Sequence, residues 1–244
     1  MENKIFVVGM GPGDEQMMTA QAIHVLDESE VIIGYKVYID LLGERFSDKE
    51  LLSGVMKKEV ERCELAFEKA NEGKKVAIIC SGDAGVYGMA SLMLEIGQRY
   101  EDIDVEIIPG ITAATSGAAV LGAPLNHDFC VISLSDLLTP WEKIEKRLVA
   151  AIEGDFAIAI YNPSSRKRHD YLKRACEIML SHCDGNRACG IVENIGRNQT
   201  KSKTMTLDEL KDTEVNMFTT VFIGNSETVI QDGKLITKRG YLSE

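Results

Sequence analysis

The residues with the clearest potential for chemistry lie in two glycine-rich loops, 9–14 (GMGPGD) and 81–88 (SGDAGVYG). Each loop follows a short apolar run typical of a buried strand, and each contains one carboxylate, Asp14 or Asp83. A carboxylate among glycines repels a phosphate but suits a cationic or hydroxyl-rich ligand. A sulfonium centre with an ammonium group and a ribose fits that description. The structural alternative is that Asp83 only caps the next helix.

The first loop also has a superficial likeness to the G-x-G-x-x-G fingerprint of dinucleotide-binding enzymes. The third glycine of that fingerprint would fall at position 14, where the chain has Asp14. Pro12 also removes a backbone N–H that a pyrophosphate would need. A dinucleotide-dependent oxidoreductase is therefore a weaker alternative, and a simple tight turn after the strand is another.

Three further loops follow predicted strands: 109–113 (PGITA), 161–163 (YNP) and 192–197 (VENIGR). Thr112 is a suitable helix N-cap, and Asn162 with Pro163 suits a turn. Ligands of open α/β sheets bind beyond the carboxyl ends of the strands. Five such loops in one chain therefore favour a binding site built on strand ends.

Composition limits the kinds of partner that the protein can have. The 244 residues are 45% hydrophobic and carry a net charge of −11, so nucleic acid and membrane surfaces are poor partners. The six cysteines form no CxxC pair, and Cys176, His182, Cys183 and Cys189 match no standard metal-site spacing, so no metal site is predicted. No signal peptide or membrane-spanning run is evident, and we expect a cytoplasmic protein with reduced thiols.

The first half of the chain alternates between short apolar runs and amphipathic segments. The predicted strands are 4–8, 31–33, 76–80 and 105–108. The predicted helices are 20–29, 57–72, 89–99 and 111–122. Repeated strand–loop–helix units indicate a parallel sheet with helices on its faces.

The second half begins after a break at 122–128 (GAPLNHD), which we interpret as a linker. Further strands are predicted at 130–134, 156–161, 188–192, 200–206, 219–223, 227–230 and 234–237, with helices at 140–152 and 166–182. The late strands alternate in polarity, and Asp232 with Gly233 suits a hairpin turn. The prediction is therefore two α/β domains, 1–123 with a parallel-rich sheet and 124–244 with a mixed sheet.

These motifs together resemble the tetrapyrrole methylases of the cobalamin pathway. The superfamily motifs are GxGPGD, SGDAGVYG and PGITA. The segment 127–141 (HDFCVISLSDLLTPW), with YNPSSR, VENIGR, GNS and RGY, resembles the precorrin-3B C17-methyltransferase branch, and the similarity spans essentially the whole chain. The resemblance implies a two-domain fold that binds S-adenosyl-L-methionine in a cleft between the domains, generally as a homodimer.

The resemblance also implies a set of residues that bind the methyl donor. They are Pro12, Ser81, Gly82, Asp83, Val86, Thr112, Ala113, Tyr161, Asn162, Gly190 and Thr219. Asn162 stands where relatives often carry methionine. The implied tetrapyrrole substrate is precorrin-3B or its cobalt-containing counterpart, cobalt-factor III.

This branch is also linked to ring contraction, which needs a general acid or base. Candidates are Asp14, Ser133, Asp136 and Glu193, together with His127. His127 could instead be a linker residue, and Asp136 a cap or loop residue. Candidate partners for the substrate carboxylates are Arg166, Lys167, Arg168, His169, Arg197, Lys201, Lys203, Lys238 and Arg239, although 166–169 could equally be a solvated helix face. Methylation at another ring carbon, or tetrapyrrole binding without catalysis, remain alternatives.

Overall fold

Five short apolar strands form a parallel sheet in the first half of the computed structural model, which describes residues 3–54, 58–165 and 167–241. The strands are β1 (Asn3–Gly9), β2 (Val31–Tyr35), β3 (Glu50–Gly54), β4 (Val76–Cys80) and β5 (Ile103–Ile108). Their order is β3-β2-β4-β1-β5, and every neighbouring pair is parallel. The predicted parallel α/β arrangement is confirmed.

Helices cover both faces of this first sheet. They are α1 (Ala20–Glu28), α2 (Lys36–Ile39), α3 (Glu59–Asn71) and α4 (Ala90–Gly97). Because successive strand residues point to opposite faces, Val7 packs with Phe67 of α3, while Val8 packs with Leu26 of α1. A strand buried on both sides must be apolar throughout, which explains the continuous run of β4.

The second half forms a mixed sheet and a small three-stranded sheet. Its elements are α5 (Ala113–Leu121), β6 (Gly122–Ala123), β7 (Phe129–Ser133), α6 (Trp141–Glu153), β8 (Ala157–Tyr161), α7 (Tyr171–Leu180), β9 (Ala188–Glu193), β10 (Lys201–Thr206), α8 (Leu207–Leu210), β11 (Thr219–Ile223), β12 (Thr228–Gln231) and β13 (Lys234–Thr237). The large sheet has the order β10-β9-β11-β8-β7, with β7 and β8 parallel and the other pairs antiparallel. The predicted mixed sheet is confirmed.

The predicted hairpin is also present, in the small sheet β12-β13-β6. Asp232 and Gly233 both have positive φ, 51° and 73°, as a type I′ turn requires. Leu235 of β13 is fully buried against α5 and the large sheet.

The chain divides into two compact units, Met1–Thr112 and Ala113–Glu244. The boundary expected from the sequence, between 123 and 124, falls inside the second unit. The reason is α5, whose residues Ala114, Ala118 and Leu121 pack with Phe222 of the second sheet. Its small side chains allow this close approach: a Cβ on Gly117 would lie 2.8 Å from the Phe222 ring.

Some elements differ from the sequence prediction. The helix expected from 166 begins at Tyr171, because Ser165 and Arg168 exchange backbone hydrogen bonds in a turn. Strand β3 and the short helices α2 and α8 have no counterpart among the predicted elements. Within the described ranges, no helix has the length and apolar character needed to cross a membrane.

Candidate active site

Three loops close against one another at the carboxyl ends of β1, β4 and β5, which we call the first edge. Gly11 and Gly82 exchange two backbone hydrogen bonds, at 3.0 and 2.7 Å. A Cβ on Gly110 would lie 2.1 Å from the Gly82 carbonyl oxygen, and one on Gly9 would lie 2.7 Å from the Gly110 nitrogen. Only glycine fits positions 9 and 110, so these residues set the shape of the first edge.

The Asp83 carboxylate ties the second of these loops to the third. One oxygen accepts a hydrogen bond from the Gly85 N–H (2.8 Å) and the other from the Gly110 N–H (2.9 Å). The alternative that Asp83 caps the next helix is wrong, because α4 starts at Ala90 behind Met89 and has no side-chain cap. The carboxylate therefore orders the loop, and each oxygen keeps a lone pair for a ligand.

The other residues expected at this edge lie around the same loops. Pro12 and Gly82 are buried, whereas Ser81, Val86 and Thr112 are half-buried. Half-buried small and hydroxyl side chains at strand ends can contact a ligand without backbone rearrangement. This arrangement suits a nucleoside more than an anion.

Asp14 lies on the outer part of the first loop. Its carboxylate accepts a hydrogen bond from the Gln16 N–H (2.9 Å) and caps a short 3-10 turn, Glu15–Met17. Helix α1 starts only at Ala20, after its N-cap Thr19. A dinucleotide fingerprint leads directly into a helix N-terminus, so this geometry speaks against the oxidoreductase alternative.

The carboxyl ends of β7, β8 and β9, marked by Ser133, Tyr161 and Glu193, lie at one edge of the second sheet, which we call the second edge. Asn162 has φ of 53°, and its Nδ2 donates to the Ser133 Oγ at 2.9 Å. The Tyr161 hydroxyl accepts a hydrogen bond from the Ala114 N–H at 2.6 Å, near the start of α5. Left-handed backbone at a non-glycine residue is often found at functional sites.

Glu193 is the last residue of β9, which is separated from β8 by β11. Its Oε1 accepts hydrogen bonds from the side-chain amides of Asn216 (2.8 Å) and Asn194 (3.4 Å). Thr219 is paired with Glu193 in the sheet and is buried. Asn194 repeats the left-handed backbone of Asn162, with φ of 56°. At both strand ends, therefore, the last strand residue, Tyr161 or Glu193, is followed by an asparagine with left-handed backbone.

Asp136 forms an ion pair instead of standing free. Its carboxylate accepts hydrogen bonds from Arg168 Nε and from the Tyr171 hydroxyl (2.6 Å). The Tyr171 hydrogen bond, with Arg168, holds the pKa of Asp136 below its usual range, and Asp136 raises the pKa of Tyr171. A carboxylate with a lowered pKa is a weak base at neutral pH. Sequence reasoning missed Tyr171, because nothing in the sequence links it to Asp136.

The remaining expected residues are more widely placed. Gly190 lies inside β9, where a Cβ would come within 2.9 Å of Leu121 and 3.0 Å of Leu235, so close packing accounts for this glycine. Ala113 begins α5. His127 is exposed, as are Lys167, His169, Lys201, Lys203, Lys238 and Arg239. Arg166 lies outside the described residues.

Four of the six cysteines are buried, and their thiols behave as apolar groups. Burial raises the pKa of the Cys63 and Cys176 thiols to about 12, and those of Cys80 and Cys130 to about 11. Cys80 lies in the buried strand β4, whereas Cys130 lies on the outermost strand β7 and is only half-buried. Thiols with raised pKa are poor nucleophiles and poor metal ligands at neutral pH.

Comparison with known proteins places this architecture in one family. The model of the tetrapyrrole (corrin/porphyrin) methylases matches residues 4–211. The chain belongs to this family, which confirms the resemblance seen in its loop motifs. It is therefore a methyltransferase by family.

Individual relatives give a more specific similarity than the family model does. The chain is 47% identical over 236 residues to a probable cobalt-factor III C(17)-methyltransferase of Salmonella typhimurium, covering 96% of this chain and 98% of that protein. It is 43% identical to a cobalt-factor III methyltransferase of Priestia megaterium, covering 99% of this chain but 46% of that longer protein. The crystal structure of the methyltransferase CobJ matches with a TM-score of 0.89 and 35% identity, covering 96% of this chain and 99% of CobJ.

A more distant structure bears on the fold alone. A uroporphyrin-III C-methyl transferase from Thermus thermophilus, complexed with S-adenosyl homocysteine, matches with a TM-score of 0.69 at 19% identity. It covers 91% of this chain and 97% of that one. The two-sheet architecture is thus shared well beyond recognisable sequence similarity.

Proposed function

We propose that the protein transfers a methyl group from S-adenosyl-L-methionine to C17 of cobalt-factor III, or of the metal-free precorrin-3B, in cobalamin biosynthesis. Associated contraction of the macrocycle would yield precorrin-4 or its cobalt form; because cobalt-factor III is the more oxidised ring, reaching cobalt-precorrin-4 from it would also take two electrons from an external reductant. The observation that carries the proposal is the 47% identity, over nearly the full length of both chains, to a protein named for this reaction. The ordered loops at the two edges supply the groups that such a reaction needs.

We assign donor binding at the first edge to the loops that carry Pro12, Ser81, Gly82, Asp83, Val86 and Thr112. S-adenosyl-L-methionine, when bound, supplies an electrophilic methyl group on a sulfonium. Half-buried Ser81 and Thr112 offer hydroxyl groups for the ribose and the amino acid part of the donor. The lone pairs left on Asp83 suit a cationic group, and they disfavour a phosphate.

In the second unit, the residues proposed to contribute to donor binding are Ala113, Tyr161, Asn162, Gly190 and Thr219. Tyr161 and Asn162 are held in place by Ala114 and Ser133. Gly190 acts only indirectly in this proposal, since its position lets Leu121 and Leu235 pack closely on β9. Preorganised contacts of this kind lower the entropic cost of aligning two reactants.

Methyl transfer itself asks little acid–base chemistry of the protein. The carbon–sulfur bond breaks as the new carbon–carbon bond forms, and the thioether leaves as S-adenosylhomocysteine. The contribution of the protein is to hold the ring carbon in line with the methyl group and to exclude water. Alignment of this kind can supply several kcal/mol, roughly 7–11 in favourable cases.

Ring contraction needs proton transfers, for which we propose Glu193. Its Oε1 is held by two amides, which fixes the carboxylate at the second edge. Ser133, joined to Asn162, is the proposed hydroxyl partner, and Asp14 is a more peripheral candidate on the first loop. For Asp136 we propose a positioning role, because its carboxylate is already ion-paired.

The decisive experiment incubates the protein with methyl-labelled S-adenosyl-L-methionine and, separately, with cobalt-factor III and precorrin-3B. We expect one labelled methyl group at C17, located by mass spectrometry and nuclear magnetic resonance. The Glu193→Gln variant should still bind S-adenosylhomocysteine but lose ring contraction. Label at another carbon, or tight binding of a nicotinamide dinucleotide in place of S-adenosylhomocysteine, would refute the assignment.

We further propose that the enzyme acts as a homodimer in the cytoplasm. Support for the dimer comes from the family resemblance, because related tetrapyrrole methylases are generally dimeric. Support for the cytoplasm comes from the six cysteines, all of which are free thiols. Sedimentation of the purified protein tests the first statement, and fractionation of the source cells tests the second.

A further inference from the structure

Four exposed apolar side chains lie next to the second edge. Leu137 and Leu138 follow β7 and are 56% and 98% exposed, while Met217 and Phe218 precede β11 and are 47% and 40% exposed. Strand β11 is separated from β7 only by β8, so the two loops start about 10 Å apart in the sheet. Two apolar pairs therefore flank the strand end that carries Tyr161 and Asn162.

Leu137 and Leu138, the first apolar pair, lie on a loop whose neighbouring residues are fixed by contacts. Leu134 is fully buried, and its N–H donates to the Tyr161 carbonyl oxygen at 2.9 Å. Asp136 is held by Arg168 and Tyr171, as described above. Beyond the leucines, Trp141 packs on Tyr171 with ring centroids 4.6 Å apart. Leu137 and Leu138 thus lie between anchored neighbours on a loop with a defined path.

The second apolar pair is fixed in a comparable way. The Phe218 N–H donates to the Asn216 Oδ1 (2.8 Å), and the Phe218 carbonyl oxygen accepts from the Asn194 N–H (3.1 Å). Asn216 in turn binds Glu193. The Arg197 guanidinium carbon lies 5.0 Å from the centroid of the Phe218 ring. Apolar surface and positive charge therefore occur side by side at this loop.

Burying apolar surface stabilises a protein, so two ordered loops that leave four such side chains in water forgo that stabilisation and mark a ligand-binding surface. The ligand should combine a broad apolar face with negative charge at its rim, because the Arg197 guanidinium lies beside the Phe218 ring. A tetrapyrrole with carboxylate side chains has both properties. A stable dimer buries roughly 800 Å² per partner, and four side chains, two of them less than half exposed, fall short of that area.

We propose that Leu137, Leu138, Met217 and Phe218 contact the apolar face of the tetrapyrrole substrate, and that Asp136 is a positioning residue that holds the first loop for this contact. This inference rests on the proposed function only in that the ligand is a tetrapyrrole. It does not depend on which ring carbon is methylated.

Two double variants test the contact, Leu137→Ser with Leu138→Ser and Met217→Ser with Phe218→Ser. The matched control is Ile230→Ser, which removes a 42% exposed apolar side chain from β12, outside the second edge. The dissociation constant for cobalt-factor III is measured by absorbance titration in the presence of S-adenosylhomocysteine. We expect each double variant to raise it tenfold or more, since tenfold corresponds to about 1.4 kcal/mol.

Affinity for S-adenosylhomocysteine, measured by calorimetry, should stay within about twofold of wild type in every variant. The single variant Leu138→Ser, at an almost fully exposed position, serves as a second test if a double variant is poorly folded. Unchanged cobalt-factor III affinity in both double variants would overturn the contact. A change in oligomeric state with ring affinity unchanged would instead assign these side chains to a second copy of the chain, and would also overturn it.

Asp136→Asn tests the positioning role separately. We expect a higher KM for the tetrapyrrole, with kcat and S-adenosylhomocysteine affinity nearly unchanged, because the loop is loosened while the reacting groups stay in place. A large fall in kcat at unchanged KM would show direct catalysis and overturn this role.

Wild-type protein that binds the ring without methylating C17 would refute the proposed function but leave the contact standing. Wild-type protein that does not bind the ring would overturn the contact.

Discussion

At the scale of single residues, Asp83 shows how one carboxylate can order a loop and still serve a ligand. Both oxygens accept a backbone N–H, from Gly85 and from Gly110, and the three loops meet where only glycine fits. A carboxylate accepts up to about four hydrogen bonds, so two bonds leave capacity for a donor molecule. An aspartate at position 83 therefore serves two purposes. It suits a cationic ligand, and it accepts the backbone hydrogen bonds that order the loop.

Asp83→Asn should weaken binding of S-adenosylhomocysteine by about tenfold or more, as expected from losing one charge-assisted hydrogen bond of roughly 1.5–3 kcal/mol. The amide can accept only with its oxygen, and its NH2 group would face a backbone N–H. Calorimetry measures the affinity, and circular dichroism checks the fold. Asp102→Asn, at an exposed position of the same unit, is the control and should bind normally. Normal binding by the Asp83 variant would contradict a role for this carboxylate at the first edge.

At the scale of elements, continuous or alternating apolar runs made most strands predictable. β4 and β11 have the bounds expected from the sequence, because each is a run of five buried residues. β3 was missed because its sequence ELLSG is short, half polar and poorly buried. The Asp136 network was not predictable, because Arg168 and Tyr171 lie 32 and 35 residues away along the chain. The parallel pairing of β7 with β8 brings the two segments after these strands together.

The start of α5 depends on a hydroxyl from another element. Tyr161, at the end of β8, accepts the Ala114 N–H, which otherwise has no partner within the helix. Tyr161→Phe should lower the free energy of unfolding by about 1 kcal/mol, the usual effect of losing a helix cap. Chemical denaturation measures this loss. Tyr241→Phe is the matched control, because Tyr241 is largely exposed, and an equal effect of both changes would argue against capping.

At the scale of the whole molecule, groups with shifted pKa contribute to the pH dependence of stability. On the acid side, Arg45 lowers the pKa of Asp27, and Tyr171 with Arg168 lowers that of Asp136. A carboxyl with a lowered pKa stabilises the fold above its unfolded pKa of about 4, and this contribution is lost as the pH falls through the folded value. At alkaline pH, the buried thiols have the opposite effect, because their pKa is raised and their contribution to stability is lost as the pH rises.

Cys63 and Cys176 have pKa values of about 12 in the fold, against about 8.5 in an unfolded chain. Their stabilising contribution is complete below pH 8.5 and is lost as the pH rises toward 12, because only the unfolded chain can ionise them. The thermal unfolding midpoint, measured with reductant present, should therefore fall between pH 7.5 and pH 10. The double variant Cys63→Ala with Cys176→Ala should have a lower unfolding midpoint at pH 7.5, but its midpoint should fall less between pH 7.5 and pH 10. The control is Met179→Leu, which alters a buried side chain beside Cys176 and keeps both thiols. Its unfolding midpoint should fall as much as that of wild type. Equal losses in the double variant and in wild type would show that burial of these thiols does not set the alkaline limit.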